Sequence, residues 1–220
     1  CLGEMVREDG LRISGVPTSI RTAELARQVG INVISLDEAR WLDITIDGTD
    51  EFDAELNLIK GGGGALLQEK IVATASDQMI VIADATKKVT TLGAFPLPIE
   101  VIPFGWQTTK ALVEETLVGL DVLGNQANLR MNGDAAYVTD EGNHILDLHL
   151  NQIGNARQLS LILNQIPGVV ENGLFIDICD IVVIGHGDGR VEVEDINAGT
   201  HEEERVDLVD TENIFREISE

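Results

Sequence analysis

Residues 41–46 read Trp-Leu-Asp-Ile-Thr-Ile, residues 65–74 read Ala-Leu-Leu-Gln-Glu-Lys-Ile-Val-Ala-Thr, and residues 79–83 read Met-Ile-Val-Ile-Ala. The first and third segments are short apolar runs, which are typical of buried strands, whereas the second segment has the length and composition of a helix. A strand, a helix and a second strand in this order predict a crossover that joins two parallel strands.

The same alternation continues in both directions along the chain. Residues 11–16 predict a strand, residues 18–29 predict a helix that Gly30 ends, and residues 31–36 predict a further strand. Residues 181–185 read as one more buried parallel strand, which we place back in the first sheet. The sequence therefore predicts an α/β fold built on a doubly wound, mostly parallel, Rossmann-like sheet.

The pattern changes between these two parts of the chain. An extended segment, a helix, a hairpin with an Asp-Glu-Gly-Asn turn, a helix and a strand follow one another at residues 99–104, 108–119, 137–148, 156–164 and 168–175. This order, with the hairpin counted as two strands, is the split βαβ arrangement of a small ferredoxin-like domain. We therefore expect a small α+β domain inserted into the larger one.

These elements suggest the following domain boundaries. We assign residues 1–98 and 177–195 to the Rossmann-like domain, residues 99–176 to the small domain, and residues 196–220 to an acidic C-terminal tail. Residues 187–220 contain twelve acidic and three basic residues, a balance typical of a solvated segment. A short helix is expected at residues 211–218.

The charge of the whole chain limits its partners. The formal net charge is −23, with only 15 Lys and Arg residues, and such a surface repels nucleic acid and anionic membranes. A phosphate ligand would then depend on local backbone donors and a few fixed cations. The two cysteines, Cys1 and Cys179, are too few for a disulfide framework, so we expect a cytoplasmic protein. No apolar run reaches the length of a membrane span.

The segment Asp47-Gly-Thr-Asp-Glu51 directly follows an apolar strand. Open α/β sheets bind ligands at the carboxyl ends of their strands, and Gly48 permits a turn that brings Asp47 and Asp50 towards one point. The alternative is a solvated acidic turn in which an aspartate caps a helix. The segment alone does not decide between the two.

The segment Lys60-Gly-Gly-Gly-Gly-Ala65 precedes the predicted helix. Four glycines can present backbone N–H groups to an anion at a helix start, and the lysine adds a fixed positive charge. A glycine run can also be a flexible linker. Its flanking strand-like and helical segments favour a structured loop, because linkers seldom join packed elements.

Two further positions carry charge near the predicted strand ends. Glu69 lies on the helix that follows the glycines, where it can point towards the loop or into solvent. Lys87 and Lys88 follow the strand at residues 79–83 and form a dense cationic pair in an acidic chain. This pair either improves solubility or marks a nearby anion.

Several segments of the chain match the motifs of one known family in order and spacing. They are Ile-Asp-Gly-Thr-Asp-Glu (46–51), Ile-Lys-Gly-Gly-Gly-Gly-Ala-Leu (59–66), Gln-Glu-Lys-Ile (68–71), Ile-Ala-Asp-Ala-Thr-Lys (82–87), Phe-Pro-Leu-Pro-Ile-Glu-Val-Ile-Pro (95–103) and Ile-Pro-Gly-Val-Val-Glu-Asn-Gly-Leu-Phe (166–175). The chain resembles the ribose-5-phosphate isomerase A family over roughly residues 1–190, and motifs of this number are specific as a set.

This resemblance implies a reaction and roles for the residues. The reaction interconverts ribose 5-phosphate and ribulose 5-phosphate through an enediolate, in the non-oxidative pentose phosphate pathway, without a cofactor or a metal. It implies Glu69 as the base, Lys60 with the loop N–H groups as oxyanion donors, and Asp47 and Asp50 as ring-opening groups. The residues expected to contact the substrate are Asp47, Gly48, Thr49, Asp50, Lys60, Gly61, Gly62, Gly63 and Lys87. Like charges at the three carboxylates should raise at least one pKa. The resemblance also implies a homodimer.

The chain departs from the family pattern at its start. Family members begin with a strand and a Gly-x-Gly-Thr-Gly-Ser-Thr phosphate loop, and no segment here matches that loop. Residues 1–10 resemble the helix that follows it. We therefore expect the native protein to contain roughly 25–40 further N-terminal residues, about one strand–loop–helix unit, which could include an organellar leader. The 220-residue chain should bind phosphate poorly without them.

Two other functions are open at this point. A sugar-phosphate sensor would use the same glycine loop and lysines but would not need Glu69. A CoA transferase of related fold would use a glutamate as its nucleophile, but no segment resembles a CoA-binding site. Turnover of ribose 5-phosphate would distinguish these three functions.

Overall fold

A computed structural model describes residues 2–206 of the chain. The helices are α1 (Leu2–Arg7), α2 (Ile20–Gln28), α3 (Leu36–Ala39), α4 (Leu66–Thr74), α5 (Trp106–Leu117) and α6 (Ala156–Leu163), with a 3₁₀ turn at Ala85–Lys87. Helix α2 is capped by Ser19, whose hydroxyl accepts a hydrogen bond of 3.1 Å from the Thr22 N–H. No helix among these residues is long and apolar enough to cross a membrane.

Within residues 2–206 the strands group into five sheets. In chain order they are β1 (Ser14–Gly15), β2 (Asn32–Val33), β3 (Thr45–Asp47), β4 (Glu51–Phe52), β5 (Leu58–Ile59), β6 (Met79–Asp84), β7 (Leu97–Val101), β8 (Gln126–Leu129), β9 (Met131–Asn132), β10 (Ala135–Ala136), β11 (His144–His149), β12 (Val169–Asn172), β13 (Leu174–Phe175), β14 (Ile181–Gly185), β15 (Arg190–Asp195) and β16 (Thr200–Arg205). Strands β1 and β2 pair in parallel as a separate two-stranded sheet.

The largest sheet has the strand order β16-β15-β14-β6-β3. Strands β3, β6 and β14 run parallel to one another, so residues 181–185 do return to the first sheet as predicted. Helix α4 connects β5 to β6, and the fold is α/β as the sequence indicated. Beyond β14 the sheet continues as an antiparallel hairpin of β15 and β16.

This hairpin corrects the sequence interpretation of the C-terminal region. Residues 187–220 were expected to be a solvated segment, with the acidic tail beginning at residue 196, yet β15 and β16 form the edge of the largest sheet. Strand β15 alternates Val191 and Val193 with glutamates, and this period of two suits a half-exposed strand. All six residues of β16 are exposed, so backbone pairing holds this strand. The helix expected at residues 211–218 lies outside the described residues.

The segment expected to form the small domain contains a four-stranded antiparallel sheet in the order β12-β7-β11-β8. Its strands and helices follow the chain order strand, helix, strand, strand, helix, strand, with α5 and α6 as the helices. This is the ferredoxin-like order that the sequence indicated. The boundaries at residues 98 and 177 stay a prediction.

The predicted hairpin at residues 137–148 is wrong in its first arm. Strand β11 forms its second arm, but it pairs with β7 and β8, and residues 137–139 lie outside the strands. Strand β8 reads Gln-Ala-Asn-Leu, which has low β propensity and gave no strand signal. A tight turn does occur where expected, since the Gly142 N–H donates to the Thr139 carbonyl at 2.9 Å.

Two hydrophobic clusters stabilise these sheets. The first packs the four-stranded sheet against α5 and α6 and includes Ile99, Val113 and Leu163, all fully buried. The second lies around β6 and β14 and includes Val81 and Phe175. Strand β13 contributes Phe175 and pairs with β5 in the three-stranded sheet β13-β5-β4. Because Lys60 directly follows β5, its side chain lies in a buried environment.

Candidate active site

The acidic turn after β3 is ordered by its own hydrogen bonds. The Gly48 N–H donates to Asp47 Oδ1 at 2.7 Å, and the Thr49 hydroxyl donates to the Glu51 and Ile59 carbonyls at 2.7 and 2.9 Å. The buried Glu51 carboxylate accepts hydrogen bonds from two backbone N–H groups further along the chain, at residues 93 and 95. Thr49 and Glu51 therefore fix the turn, whereas Asp47 and Asp50 remain for other contacts.

Lys60 lies at the centre of a charged cluster that it forms with Asp47 and Glu69, with only 3% of its side chain exposed. Its Nζ lies 2.9 Å from Asp47 Oδ2 and 3.3 Å from Glu69 Oε2, and it donates to the Gly48 carbonyl at 2.5 Å. The ammonium also lies 5.5 Å from the centre of the Phe175 ring. One buried cation thus holds two predicted site carboxylates together.

The ionisation of Glu69 is shifted by this environment. Burial raises the pKa of Glu69 above its ordinary value of 4.5, the nearby Asp47 and Asp50 charges raise it further, and Lys60 opposes the shift. The predicted rise of a pKa among these carboxylates is therefore found at Glu69, with burial as its main cause. Glu69 Oε2 is buried and accepts no well-aligned hydrogen bond from the described residues. A buried carboxyl with a raised pKa is suited to taking up and returning a proton.

The glycine segment is a structured loop whose shape depends on its lack of side chains. Gly61 and Gly64 have φ angles of 108° and 86°, which residues with a Cβ rarely adopt. The Gly62 N–H donates to Asp50 Oδ2 at 2.7 Å, and a Cβ on Gly62 would lie 2.6 Å from Asp50 Oδ1. Asp50 therefore ties the acidic turn to the loop. The linker alternative does not hold.

The small domain supplies two residues to this loop that sequence reasoning missed. Arg130 Nη1 donates to the Gly61 and Gly62 carbonyls at 2.8 and 3.0 Å. The Tyr137 hydroxyl donates to the Gly63 carbonyl at 3.3 Å. Arg130 lies about seventy residues from the loop and in no motif, so only its rarity as a cation in this chain could have drawn attention to it.

Lys87 is the predicted site residue that stands apart from the cluster. It ends the 3₁₀ turn after β6, and its side chain makes no hydrogen bond or ion pair among residues 2–206, although its charge helps to lower the pKa of Asp84. Its neighbour Lys88 pairs with Glu194 of β15 at 2.5 Å. Strand β6 extends three residues beyond the Val81 position that pairs with Asp47, which places Lys87 further out at the same sheet edge.

Two other features lie away from the cluster. A cavity of about 400 Å³ is lined by residues from positions 16–38 and by Gln68, Ile71 and Val72 of α4, but by none of the cluster. Glu192, Glu194 and His201 bring possible metal-ligand atoms within 4.8 Å of one another on the β15–β16 hairpin. The carboxylates there already contact Lys88 and Arg190.

Taken together, the strand-end location, the buried lysine between two carboxylates and the N–H-rich loop define an α/β enzyme site suited to moving protons on an oxygen-rich anion. The family model for ribose 5-phosphate isomerase A (phosphoriboisomerase A) matches residues 14–189. The chain belongs to this family. It is therefore an aldose–ketose isomerase that interconverts ribose 5-phosphate and ribulose 5-phosphate, and the sensor and CoA transferase alternatives are not supported.

Individual relatives agree with this assignment. The chain is 77% identical to ribose-5-phosphate isomerase A of a Ruegeria species and 70% identical to that of a Jannaschia species, in each case over all of this chain and 84% of the relative. A solved D-ribose-5-phosphate isomerase in complex with phospho-erythronic acid has a TM-score of 0.80 at 41% identity, covering 88% of this chain and 83% of that one. The Plasmodium falciparum enzyme has a TM-score of 0.80 at 31% identity, covering 94% and 84%.

Proposed function

We propose that Glu69 is the base that carries out the isomerisation. Its carboxylate removes the C2 proton of the open-chain aldose, the electron pair of that C–H bond forms the C1=C2 bond, and the π electrons of the C1=O bond move to O1 to give the enediolate. Return of the proton to C1, with loss of the O2 proton and gain of one at O1, gives the ketose. The observation that supports this role is the raised pKa of a carboxyl buried 3.3 Å from a lysine.

Lys60 and the loop N–H groups stabilise the negative charge that develops on the enediolate oxygens. The ammonium is already fixed by Asp47 and the Gly48 carbonyl, so it needs little reorganisation when charge appears. Preorganised donors of this kind are often the largest single contribution to an enzymatic rate. Lys60 also favours the ionised form of Glu69, because its charge opposes the rise in the pKa of that carboxyl.

Asp47 and Asp50 open the sugar ring and contact its hydroxyl groups. Both carboxylates are partly exposed at the strand end, and each has one oxygen fixed by a backbone N–H of the site. Gly48 and Thr49 line the acidic turn, and Gly61, Gly62 and Gly63 line the opposing loop. The Thr49 hydroxyl already donates to backbone carbonyls, which leaves its N–H as the donor for the substrate.

Lys87 binds the phosphate end of the substrate in this proposal. A lysine whose ammonium makes no hydrogen bond or ion pair among residues 2–206, at the outer edge of the site, is suited to an anion, and it leaves Lys60 to the reacting end. Replacing Lys87 with Met should raise KM for ribose 5-phosphate about tenfold or more, because one direct charge contact is lost. An unchanged KM would place the phosphate elsewhere.

The phosphorylated acid seen in the solved relative offers a binding test. We propose that phospho-erythronic acid binds this chain with its carboxylate at Lys60 and the glycine loop. It should inhibit competitively with ribose 5-phosphate, and Lys60→Met should weaken the inhibition. Competitive inhibition that Lys60→Met leaves unchanged would contradict the placement of the reacting end.

Replacing Glu69 with Gln tests the base directly, because the amide keeps the shape of the side chain and loses its basicity. We expect kcat to fall by at least about a hundredfold while KM changes little, as general bases typically contribute that much. Glu115→Gln on the exposed face of α5 is the matched control and should behave as wild type. A kcat for Glu69→Gln within about tenfold of wild type would remove Glu69 from this role.

The homodimer and the cytoplasmic location are also proposals, and both follow from the family resemblance. Light scattering on the purified protein should give a mass of twice 23.8 kDa. Fractionation of the source cells should place the protein with the soluble markers. A monomeric mass at assay concentration would contradict the first.

A further inference from the structure

Two side chains, those of Arg130 and Tyr137, hold the glycine loop from its carbonyl side. The Arg130 guanidinium donates to two consecutive carbonyls, those of Gly61 and Gly62, at 2.8 and 3.0 Å. Arg130 follows β8 of the small-domain sheet, whereas the loop precedes α4. The contact therefore joins two parts of the fold that are distant in the sequence.

The geometry of the peptide unit determines what this contact does. In a planar trans peptide the C=O and the following N–H point in opposite directions. The Gly61 carbonyl faces Arg130, and the Gly62 N–H of the same peptide donates to Asp50 at 2.7 Å. The next peptide also turns its carbonyl to Arg130, so the Gly63 N–H points away from Arg130, towards the side on which Asp50 lies.

The Gly63 N–H is available to a ligand. It donates to no residue among positions 2–206, and a Cβ added to Gly63 would meet nothing within 4 Å. The next carbonyl, that of Gly63, accepts from the Tyr137 hydroxyl. Open space and an unused donor thus occur together in the loop, next to the acidic turn.

Arg130 is itself fixed in place. Its Nε and Nη2 donate to the two carboxylate oxygens of Asp147 on β11, at 3.0 and 2.5 Å, and its guanidinium lies 5.9 Å from the centre of the Tyr137 ring. A bidentate pair of this kind fixes the plane of the guanidinium. The Arg130 and Asp147 side chains are only 15% and 21% exposed, so solvent screens the pair weakly.

We propose that Arg130 is a positioning residue for the isomerisation, holding the glycine loop so that the Gly63 N–H faces the oxyanion of the reacting sugar. This inference rests on the proposed function of the site. Four consecutive glycines have more conformational freedom than any other tetrapeptide, and the loop has no side chain with which to fix itself. Besides the turn bond from the Gly64 N–H to the Gly61 carbonyl and the contacts of Asp50 and Tyr137, Arg130 fixes two consecutive carbonyls at once. Arg130 and Asp147 act in this way without touching the substrate.

The test compares Arg130→Met with Arg157→Met in the full chain. Arg157 is a matched control because it also pairs with an aspartate, Asp177, but at an exposed position. For Arg130→Met we expect kcat to fall about tenfold to a hundredfold with KM changed less than about threefold. The reason is that a misplaced N–H donor weakens the stabilisation of the transition state more than it weakens substrate binding. Arg157→Met should keep the wild-type kcat and KM.

Two further variants keep the test decisive if Arg130→Met does not fold. Arg130→Lys retains the charge but cannot span both carbonyls and Asp147, and Asp147→Asn removes the bidentate partner. Both should retain a cooperative thermal transition and show the same fall in kcat with little change in KM. Wild-type kcat in either folded variant, or a change in KM alone, would overturn the proposal. If the wild-type chain itself did not convert ribose 5-phosphate, the proposed function would fail rather than this inference.

Discussion

At the scale of single residues, the shifted pKa of Glu69 gives a pH dependence of known sign. A base acts only when ionised, so kcat/KM should fall as the pH drops through the pKa of Glu69. Because burial raises that pKa above 4.5, the midpoint of the acid limb should lie above 4.5. Glu69→Gln should lack this limb in its residual activity, as measured by initial rates across the pH range.

The same shift predicts an effect on stability. A carboxyl whose pKa is higher in the folded state stabilises the fold when protonated, and this contribution is lost as the pH rises through the folded pKa. Glu69→Gln mimics the protonated form. Its Tm relative to wild type should therefore increase between about pH 4 and about pH 8. A relative Tm that decreases over this range would show that the pKa of Glu69 is lowered instead.

Replacing Lys60 with Met separates binding from catalysis. The lysine acts on charge that appears in the enediolate, so kcat should fall by about a hundredfold or more and KM should rise much less. The acid limb of kcat/KM should also move to higher pH, because Lys60 no longer lowers the pKa of Glu69. If KM alone rose, Lys60 would be a uniform binding contact.

At the scale of elements, two neighbouring glycines give opposite expectations. A Cβ on Gly64 would lie 2.3 Å from the Tyr137 hydroxyl, and its φ of 86° disfavours any side chain. Gly64→Ala should therefore lower Tm and abolish activity by displacing the loop. Gly63→Ala meets open space and should keep the wild-type Tm. Similar Tm values for both variants would contradict the loop geometry.

The sequence predicted elements well where local signals and long-range contacts agree. The crossover from residue 45 to residue 84 and the return of β14 could be predicted, because buried parallel strands are continuous apolar runs. Strand β8 could not be predicted, because it is stabilised by pairing with β11 rather than by the strand propensity of its own residues. The hairpin of β15 and β16 was not predicted, because its many charged residues outweighed the alternating valines that indicate a strand.

As with the strands and helices, the residues of the candidate site could be predicted where a local sequence signal marks them. Asp47, Lys60 and Glu69 each follow or lie near a predicted strand end or helix start, so their approach follows from the topology. Arg130 contacts the loop, and Asp147 contacts Arg130, only through the folding of the small domain. No local pattern marks a residue that supports a loop seventy positions away.

At the scale of the whole molecule, α4 is fixed to the small-domain sheet by a partly buried ion pair. Lys70 Nζ lies 2.9 Å from Glu171 Oε1 and donates to the Asn172 carbonyl at 2.5 Å. Burial acts to raise the pKa of Glu171, but Lys70 and the neighbouring amide donors outweigh it, so the pKa lies below 4.5. The pair should therefore stabilise the fold above pH 4.5 and lose its effect as the pH falls through the lowered pKa.

Replacing Glu171 with Gln tests this connection. At neutral pH we expect a loss of about 2 kcal/mol, or a fall in Tm of about 4–8 °C, because Lys70 is left buried without its partner. The difference from wild type should shrink in acid. Asp177→Asn, which breaks the exposed pair with Arg157, is the control and should change Tm by no more than about 2 °C.

The central claim is that Glu69 moves the proton between C1 and C2, and isotope exchange measures this step most directly. Wild-type protein incubated with ribose 5-phosphate in D₂O should introduce deuterium at the carbon-bound positions of the interconverting sugars, detected by NMR. Glu69→Gln should exchange at least about a hundredfold more slowly while still binding phospho-erythronic acid. Exchange by a folded Glu69→Gln at the wild-type rate would contradict the account, because another group would then be removing the proton.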